Sequence, residues 1–579
     1  MLKKILIRPL FTSIAAVSIA STFLLSACNS PESNQTSRSS DRQELLKLLY
    51  WQAPTILNPH LSSGSKDLEA SRITLEPLAS FNNEGKLVPI LAAEIPSKEN
   101  GGLAEDGKSV TWKLKKDLKW SDGKPFTPED IIFTYKFVTN PDVGAFSKSI
   151  YDVIASVEAI DEQTVKVNFK EVNPAWFTVF VGQYGTILPK HIYTEYQNKT
   201  AREAPANLKP IGTGPYRVTE FKPQDVVIYE QNPHFRDRDR LGFQQIELKG
   251  GGDATSTARA VLQTGEADYA YNLQIEPAIL NQLEAAGKGR VVANLGPYVE
   301  RIVINHSNPN QVTPDGERSD KDNPHPFFSN KKVRQAFALA VDRDTIAKRL
   351  YGKIDRPTAN ILVLPAEYNS SNTSYEYNLE KAASLLDEAG WKDTNGNGIR
   401  DKNGVEMKIL FQTSVNPVRE KTQEIIKQSL QKIGVQVELK TIDASVFFSS
   451  DPSNPDTLQR FYADWEMFSR QTDSPDPSIY MGVYRCEEIP QKANNWVGDN
   501  ASRYCNPEYD ALWQKTVKEL DSEKRKQMFI ELNDIIINNT VVIPLVHRTN
   551  VIAVSNDLKG INLTPWDART WNIMEWKRE

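Results

Sequence analysis

The sequence predicts an α/β fold, because segments with the two-residue period of a strand alternate with segments that carry the apolar face of a helix. Residues 164–170 alternate polar and apolar side chains as a half-buried strand does, and residues 109–115 do the same. Across residues 333–341, apolar side chains recur at the spacing of one helical face. Ser329 or Asn330 can cap that helix.

The clearest α/β unit lies between residues 379 and 442. The predicted segments are a helix over 379–389, a strand over 405–411, a helix over 418–433 and a strand over 435–439. Gly390 and Gly434 follow the two helices, where glycine commonly ends one. A strand, a helix and a second strand form a crossover, so the two strands should run parallel.

The first 28 residues differ from the rest of the chain. Lys3, Lys4 and Arg8 precede an apolar run over residues 10–25 that is short for a membrane-spanning helix. The run ends in Leu-Ser-Ala before Cys28, which resembles a bacterial lipobox. That resemblance implies cleavage just before Cys28 and diacylation of Cys28, which would anchor the protein to a membrane. A plain secretory signal with a chance cysteine is the alternative.

The Ser- and Asn-rich residues 29–44 are predicted to form a flexible tether. Beyond the tether, the length of the 579-residue chain suggests two to four domains. The net charge is -5 and no long basic run occurs, so nucleic acid is not an expected partner.

Cys486 and Cys505 are the other two cysteines of the chain, 19 positions apart. Outside the cytoplasm, a disulfide between them would close a loop and stabilise the fold by about 3 kcal/mol. Two free thiols are the alternative.

The chain offers little support for catalysis. Residues 102–109 match the phosphate-loop pattern, but a strand follows instead of a helix, and Glu105 and Asp106 would place two negative charges in the phosphate cradle. The six histidines form no close pair, and no G-x-S-x-G elbow is present. We expect the protein not to be an enzyme and to need no cofactor.

One segment is similar to the first nine positions of a calcium loop. Its oxygen ligands would come from Asp393, Asn395, Asn397, Ile399 and Asp401. Position eight is Arg400 instead of an apolar residue, and position twelve is Gly404 instead of glutamate. The segment therefore predicts either a structural calcium site or an Asn/Gly turn that leads into the next strand.

Five segments together resemble one family, the extracytoplasmic solute-binding proteins of peptide and nickel importers, known as family 5. They are residues 110–131, a strand, a turn and a helix entered through Pro128; the glycine-rich residues 211–216; and residues 264–268, 333–343 and 543–545. The order and spacing of the matches over residues 45–579 are more specific than any single match.

The resemblance implies a two-lobed periplasmic-binding-protein-like fold of class II, cluster C, in which two hinged lobes close on a ligand. The implied first lobe comprises residues 45–290 and 530–579 and contains an extra subdomain at about residues 82–209. The second lobe comprises residues 291–529.

The implied function is the receptor of an ABC importer that captures a short peptide outside the cell membrane and delivers it to a membrane permease. We expect a monomer, held to the extracytoplasmic side of the membrane through its lipid anchor. The alternatives are a receptor for a metal chelate, an opine or an oligosaccharide, a ligand sensor for a membrane signalling protein, and a cell-surface hydrolase.

Residues 468–477 are similar to the region where oligopeptide binders place an aspartate for the ligand's ammonium group. The resemblance gives that role to Asp473, with Arg470, Gln471 and Thr472 beside it. Arg470 could neutralise Asp473 or bind a carboxylate of the ligand. Asp476 competes for the role, and an Asp-Pro-rich surface turn is the structural alternative.

Overall fold

The computed structural model of the protein describes residues 44–62, 64–352, 355–449, 453–472 and 474–579. The predicted signal segment, Cys28 and nearly all of the tether lie outside the described residues. Contacts group the described residues into one compact unit. No helix of the described part is both long and apolar enough to cross a membrane.

A mixed sheet of eleven strands runs through the described part of the chain. Its main path is, from one edge to the other, Gln436–Ile442, Lys408–Ser414, Trp465–Gln471, Gly289–Ile304, Val542–Ser555, Tyr269–Tyr271, Leu45–Tyr50, Gln245–Gly250, Val226–Gln231 and Tyr216–Lys222. The short strand Arg356–Pro357 also pairs with Val542–Ser555. Leu45–Tyr50 and Lys408–Ser414 each run parallel to both neighbours, and the other pairs are antiparallel.

Two long strands, Gly289–Ile304 and Val542–Ser555, lie next to each other in the middle of the sheet. They separate the strands of residues 45–271, which we call the first half, from the strands of residues 408–471, which we call the second half. The first long strand has 16 residues, and at roughly 3.3 Å per residue it is long enough to belong to both halves.

The predicted lobe boundaries fall within regular elements. The first boundary, after residue 290, lies at the start of Gly289–Ile304. The second, after residue 529, lies inside the helix Ser522–Asn538, whose Phe529 and Ile536 pack with apolar residues of the second half. The predicted bounds of the lobes stay a prediction.

The helices pack on the faces of the sheet and in the loops that connect its strands. Those of eight or more residues are Ser65–Arg72, Pro128–Thr139, Pro277–Glu284, Lys331–Leu339, Leu379–Glu388, Pro417–Gln431, Pro507–Thr516 and Ser522–Asn538. Shorter helices are Lys148–Tyr151, Lys190–Tyr193, Ala254–Arg259, Arg343–Ile346, Ala444–Phe447 and Ser478–Gly482.

Smaller sheets lie outside the main one. Three strands, Ser109–Lys113, Thr164–Phe169 and Ile154–Asp161, form an antiparallel sheet with Thr164–Phe169 in the middle. Two-stranded sheets pair Ala79–Phe81 with Leu87–Pro89, Asp401–Lys402 with Val405–Glu406, and Leu558–Lys559 with Lys577–Arg578. A hydrophobic cluster extending from Leu61 to Ala206, joined by Trp566, covers most of the segment predicted as the extra subdomain.

The predicted crossover unit is confirmed, with one correction. Lys408–Ser414 and Gln436–Ile442 pair in parallel, and the helix Pro417–Gln431 connects them. The prediction of a continuous strand over residues 405–411 is wrong at its start. Val405 and Glu406 pair back on Asp401–Lys402 in a separate hairpin, so the main-sheet strand begins only at Lys408.

The glycine-rich passage at residues 211–216 is needed for close backbone packing. A Cβ atom at Gly212 would lie 2.0 Å from the carbonyl oxygen of Thr74, and one at Gly214 would lie 2.7 Å from the same oxygen. Side chains cannot be accommodated at such distances, so glycine is required where this passage crosses the end of the helix Ser65–Arg72.

Candidate functional site

A cavity lies between two segments that are far apart in the sequence. Its lining consists of Phe81, Ile150, Thr178, Val181, Gln183, Tyr184, Arg470, Gln471, Ser474, Asp476, Ile479 and Tyr480. One wall therefore comes from residues 81–184, near the three-stranded sheet, and the other from residues 470–480, which follow the second half of the main sheet. Clefts between two parts of a fold are common positions for small-ligand sites.

The strand Trp465–Gln471 brings the second wall to the cavity. Its first four residues are buried in the sheet, and its last three, Ser469, Arg470 and Gln471, are only partly buried. The strand is antiparallel to Gly289–Ile304, with Gln471 opposite Tyr298. The sheet therefore fixes the backbone at the point where Arg470 and Gln471 reach the cavity.

Arg470 is paired across the wall with Asp499. Its Nη2 donates to Oδ2 of Asp499 over 2.7 Å. Burial disfavours the charged guanidinium, but the nearby carboxylate outweighs burial and raises the pKa of Arg470 above its usual range. Asp499 lies 29 positions downstream in an irregular segment, and nothing in the local sequence identifies it as a partner of Arg470.

The other three predicted site residues do not all line the cavity. Gln471 lines the cavity. Thr472 is buried, and its hydroxyl has no hydrogen-bond partner within the described part of the protein. Asp473 lies outside the described residues, so its predicted role stays a prediction.

Asp476, the competing carboxylate, is committed to an ion pair. It is 4% exposed and binds the guanidinium of Arg525 through both oxygens, with Oδ1 at 3.1 Å from Nη2. Its Oδ1 also accepts from the backbone amide of Ser478, at the start of the helix Ser478–Gly482. Breaking such a buried pair would leave an uncompensated charge, which is strongly unfavourable. Asp476 therefore fixes the wall of the cavity and is poorly placed to receive an ammonium group.

A second charged cluster joins the two long strands to the second half of the sheet. Glu300 accepts from Nε of Arg419 at 2.7 Å and from Nη1 of Arg548 at 2.9 Å. Burial favours the neutral carboxyl, but the two guanidinium groups outweigh burial and hold the pKa of Glu300 below its usual value. Arg548 also donates to the hydroxyl of Ser469. The cluster therefore helps to hold the strand Trp465–Gln471, which carries Arg470, in position.

The predicted calcium ligands form a hydrogen-bonded turn. Within it, Asp393 accepts from the amides of Gly396 and Gly398, and Asp401 accepts from the amide and hydroxyl of Thr394. Side-chain oxygens of Asn395 and Asn397 accept from the amides of Asn397 and Ile399.

The guanidinium of Arg400 lies beside this turn, against the carbonyl oxygens of Ile433 and Trp391. Among the described residues, no group of three or more His, Cys, Asp or Glu side chains is arranged to hold a metal ion. Calcium binding stays a prediction.

Cys486 and Cys505 are joined by a disulfide. The loop that this disulfide closes contains Asp499, the partner of Arg470. The pair of cysteines therefore belongs to the same region of the fold as the cavity wall.

Known proteins resemble the chain over most of its length. The family model described as "Bacterial extracellular solute-binding proteins, family 5 Middle" matches residues 86–489. The oligopeptide-binding protein AppA of Bacillus subtilis is 27% identical over 533 residues, which cover 90% of this chain and 89% of the relative.

Solved structures share the fold. The oligopeptide-binding protein of Thermus thermophilus, complexed with a pentapeptide, has a TM-score of 0.79 at 23% identity and covers 93% of this chain and 96% of that one. NikZ of Campylobacter jejuni, in complex with Ni(L-His), has a TM-score of 0.77 at 24% identity and covers 93% and 100%. The two-lobed α/β fold is thereby confirmed. The chain belongs to family 5 of the bacterial extracellular solute-binding proteins.

Proposed function

We propose that the protein is the extracytoplasmic receptor of an ABC importer, which captures a short peptide in the cavity between residues 81–184 and 470–480 and delivers it to a membrane permease. The cavity carries the proposal, because its walls come from separate parts of the fold and are lined by both apolar and hydrogen-bonding side chains. The oligopeptide-binding relatives support peptide as the ligand.

Within this proposal, Asp473 binds the ammonium group of the peptide. Gln471, two positions before Asp473, and Ser474, directly after it, both line the cavity. A charge-assisted hydrogen bond from an ammonium group is stronger than one between neutral groups. Asp476 is paired with Arg525, which removes the nearest competing carboxylate.

A thermal-shift screen tests the ligand class. We expect pools of di- to hexapeptides to raise the melting temperature of the chain that lacks residues 1–28, because a ligand that binds only the folded state stabilises it. At a hundredfold excess over Kd the gain is about 2.7 kcal/mol, or about 2–3 °C for a chain of this size. Nickel with L-histidine and a set of oligosaccharides are the parallel arms. A shift with either of these and with no peptide pool would overturn the peptide assignment.

We also propose that Cys28 carries the lipid that holds the receptor at the membrane, on the strength of the lipobox resemblance. In cells fed an alkyne fatty acid, we expect label on the wild type and on Ser30→Ala, and none on Cys28→Ala. The Cys28→Ala protein should also leave the membrane fraction. Equal labelling of all three chains would show that Cys28 is not the acylated residue.

A further inference from the structure

The charged side chains of the described cavity lining are all paired. Arg470 and Asp476 are the two charged residues among them. Asp476 is neutralised by Arg525, and Arg470 is neutralised by Asp499. The described part of the lining therefore carries no net charge, although a guanidinium group faces the cavity.

Arg470 keeps hydrogen-bonding capacity for a ligand. Its Nη2 donates to Asp499, and this is the one hydrogen bond that the guanidinium makes with a described residue. The side chain is 24% exposed, so its other donors are not sealed inside the protein. A guanidinium has five N–H donors, and those not used by Asp499 can reach an oxygen atom of a bound molecule.

Asp499 is held firmly in position opposite Arg470. It lies inside the loop closed by the disulfide of Cys486 and Cys505. The amide of the next residue, Asn500, donates to the carbonyl oxygen of Glu488 over 2.9 Å. The side-chain amide of Asn500 donates to the carbonyl oxygens of Arg485 and Tyr504. These bonds fix the backbone on the C-terminal side of Asp499.

Gly498, on the other side of Asp499, is fixed as well. Its φ is +133°, and a Cβ atom there would lie 2.3 Å from the carbonyl oxygen of Glu488. Only glycine allows so close an approach. The loop is therefore packed against its own base, and the carboxylate of Asp499 is presented to Arg470 by a constrained backbone.

We propose that Asp499 sets the charge selectivity of the cavity. By pairing with Arg470 it makes the guanidinium a donor to uncharged peptide oxygens and prevents the site from selecting acidic peptides. An Arg470 without this partner would attract carboxylates instead, because bidentate carboxylate binding is the preferred interaction of a free guanidinium. The inference rests on the proposed peptide-binding function and identifies the residue that controls its substrate range.

Peptide pairs that differ only in charge test the inference. The probes are alanine pentapeptides with either Gln or Glu at one of the five positions, measured by isothermal titration calorimetry. For the wild type we expect the Gln and Glu forms to bind within about threefold of each other at every position. For Asp499→Asn we expect the Glu form to bind at least about tenfold more tightly at one position, because a charge–charge attraction replaces a bond to a neutral oxygen.

Further variants separate this effect from a general disturbance of the fold. In the double variant Arg470→Gln with Asp499→Asn, the ratio of the affinities for the Glu and Gln forms should return to near one. Arg470→Gln alone should shift it towards the Gln form, because it leaves the carboxylate of Asp499 without a partner, and this variant tests the inference should Asp499→Asn fail to fold. Asp322→Asn removes a surface carboxylate that is bonded to Lys321, and it should behave as the wild type.

The outcomes are distinct for the two proposals. Pentapeptide binding by the wild type with the same Gln-to-Glu ratio in Asp499→Asn at all five positions would overturn the role of Asp499 and leave the peptide receptor intact. Absence of binding of every pentapeptide to the wild type, together with no thermal shift by any di- to hexapeptide pool, would overturn both.

Discussion

At the scale of single residues, burial and pairing determine which carboxylate a ligand can reach. The sequence presents Asp473 and Asp476 in one Asp-Pro-rich segment, and no local feature tells them apart. The structure separates them through Arg525, which comes from a helix 49 positions downstream and pairs with Asp476. The same holds for Arg470 and Asp499. Family resemblance could indicate which segment lines the cavity, whereas the long-range partners follow only from the folded chain.

His60 gives a residue-scale prediction about pH. Its side chain is fully buried, with Nδ1 2.7 Å from the hydroxyl of Ser147 and Nε2 2.8 Å from the carbonyl oxygen of Thr186. Burial lowers the pKa of His60 from 6.5 to about 4, despite the opposing hydrogen bond to Thr186. Between these two pH values the unfolded chain takes up a proton on this histidine and the folded chain does not. Stability should therefore fall as the pH decreases through this window.

The expected loss from His60 is roughly 3 kcal/mol in total, at 1.36 kcal/mol per pKa unit. We expect His60→Gln to be less stable than the wild type at pH 7, because it loses well-made buried hydrogen bonds, but to lose less further stability on acidification. Chemical denaturation at pH 7 and at about pH 4.5 measures both quantities. The exposed histidine variant His234→Gln is the control and should keep the wild-type dependence. An unchanged acid-induced loss in His60→Gln would show that His60 does not resist protonation in the fold.

At the scale of secondary-structure elements, helices were the most predictable features. The helix Leu379–Glu388 is followed by Gly390 at a φ of +84°, and Pro417–Gln431 is followed by Gly434 at +81°, as their sequence positions predict. The helix Lys331–Leu339 is capped by the side chain of Asn330. These signals are local, so the sequence alone carries them.

Strands were less predictable because their bounds depend on partners elsewhere in the chain. The first two residues of the strand predicted over residues 405–411 pair instead with Asp401–Lys402 in a separate hairpin. The first long strand, Gly289–Ile304, contains Gly296 and Pro297 and has an irregular register between Leu295 and Tyr298. That irregularity interrupts its two-residue period, and its pairing with Val542–Ser555 requires a partner some 250 positions away.

At the scale of the whole molecule, the two long strands connect the two halves, and we expect a ligand in the cavity to act on the relative position of these halves. A ligand shifts such a balance only as far as it binds the closed arrangement better than the open one. Contacts between the halves that form only on closure contribute to the same balance. The hydrogen bond from Nδ2 of Asn416 to Oε1 of Gln274, at 2.8 Å, joins the second half to the first half, and we expect it to form only on closure.

Removing this bond should weaken ligand binding without weakening the fold. A single hydrogen bond contributes about 1 kcal/mol, so we expect Gln274→Ala to lower the affinity for a bound pentapeptide by about fivefold and to leave the melting temperature of the free protein nearly unchanged. Small-angle X-ray scattering should show a smaller radius of gyration for the wild type once peptide is added, and a larger one for free Gln274→Ala than for the free wild type. Gln311→Ala, which loses an exposed hydrogen bond to Asn323 twelve positions away in the same loop, is the matched control. Identical scattering of the free and peptide-saturated wild type would contradict closure, because a hinged receptor must change its dimensions when its cleft closes on a ligand.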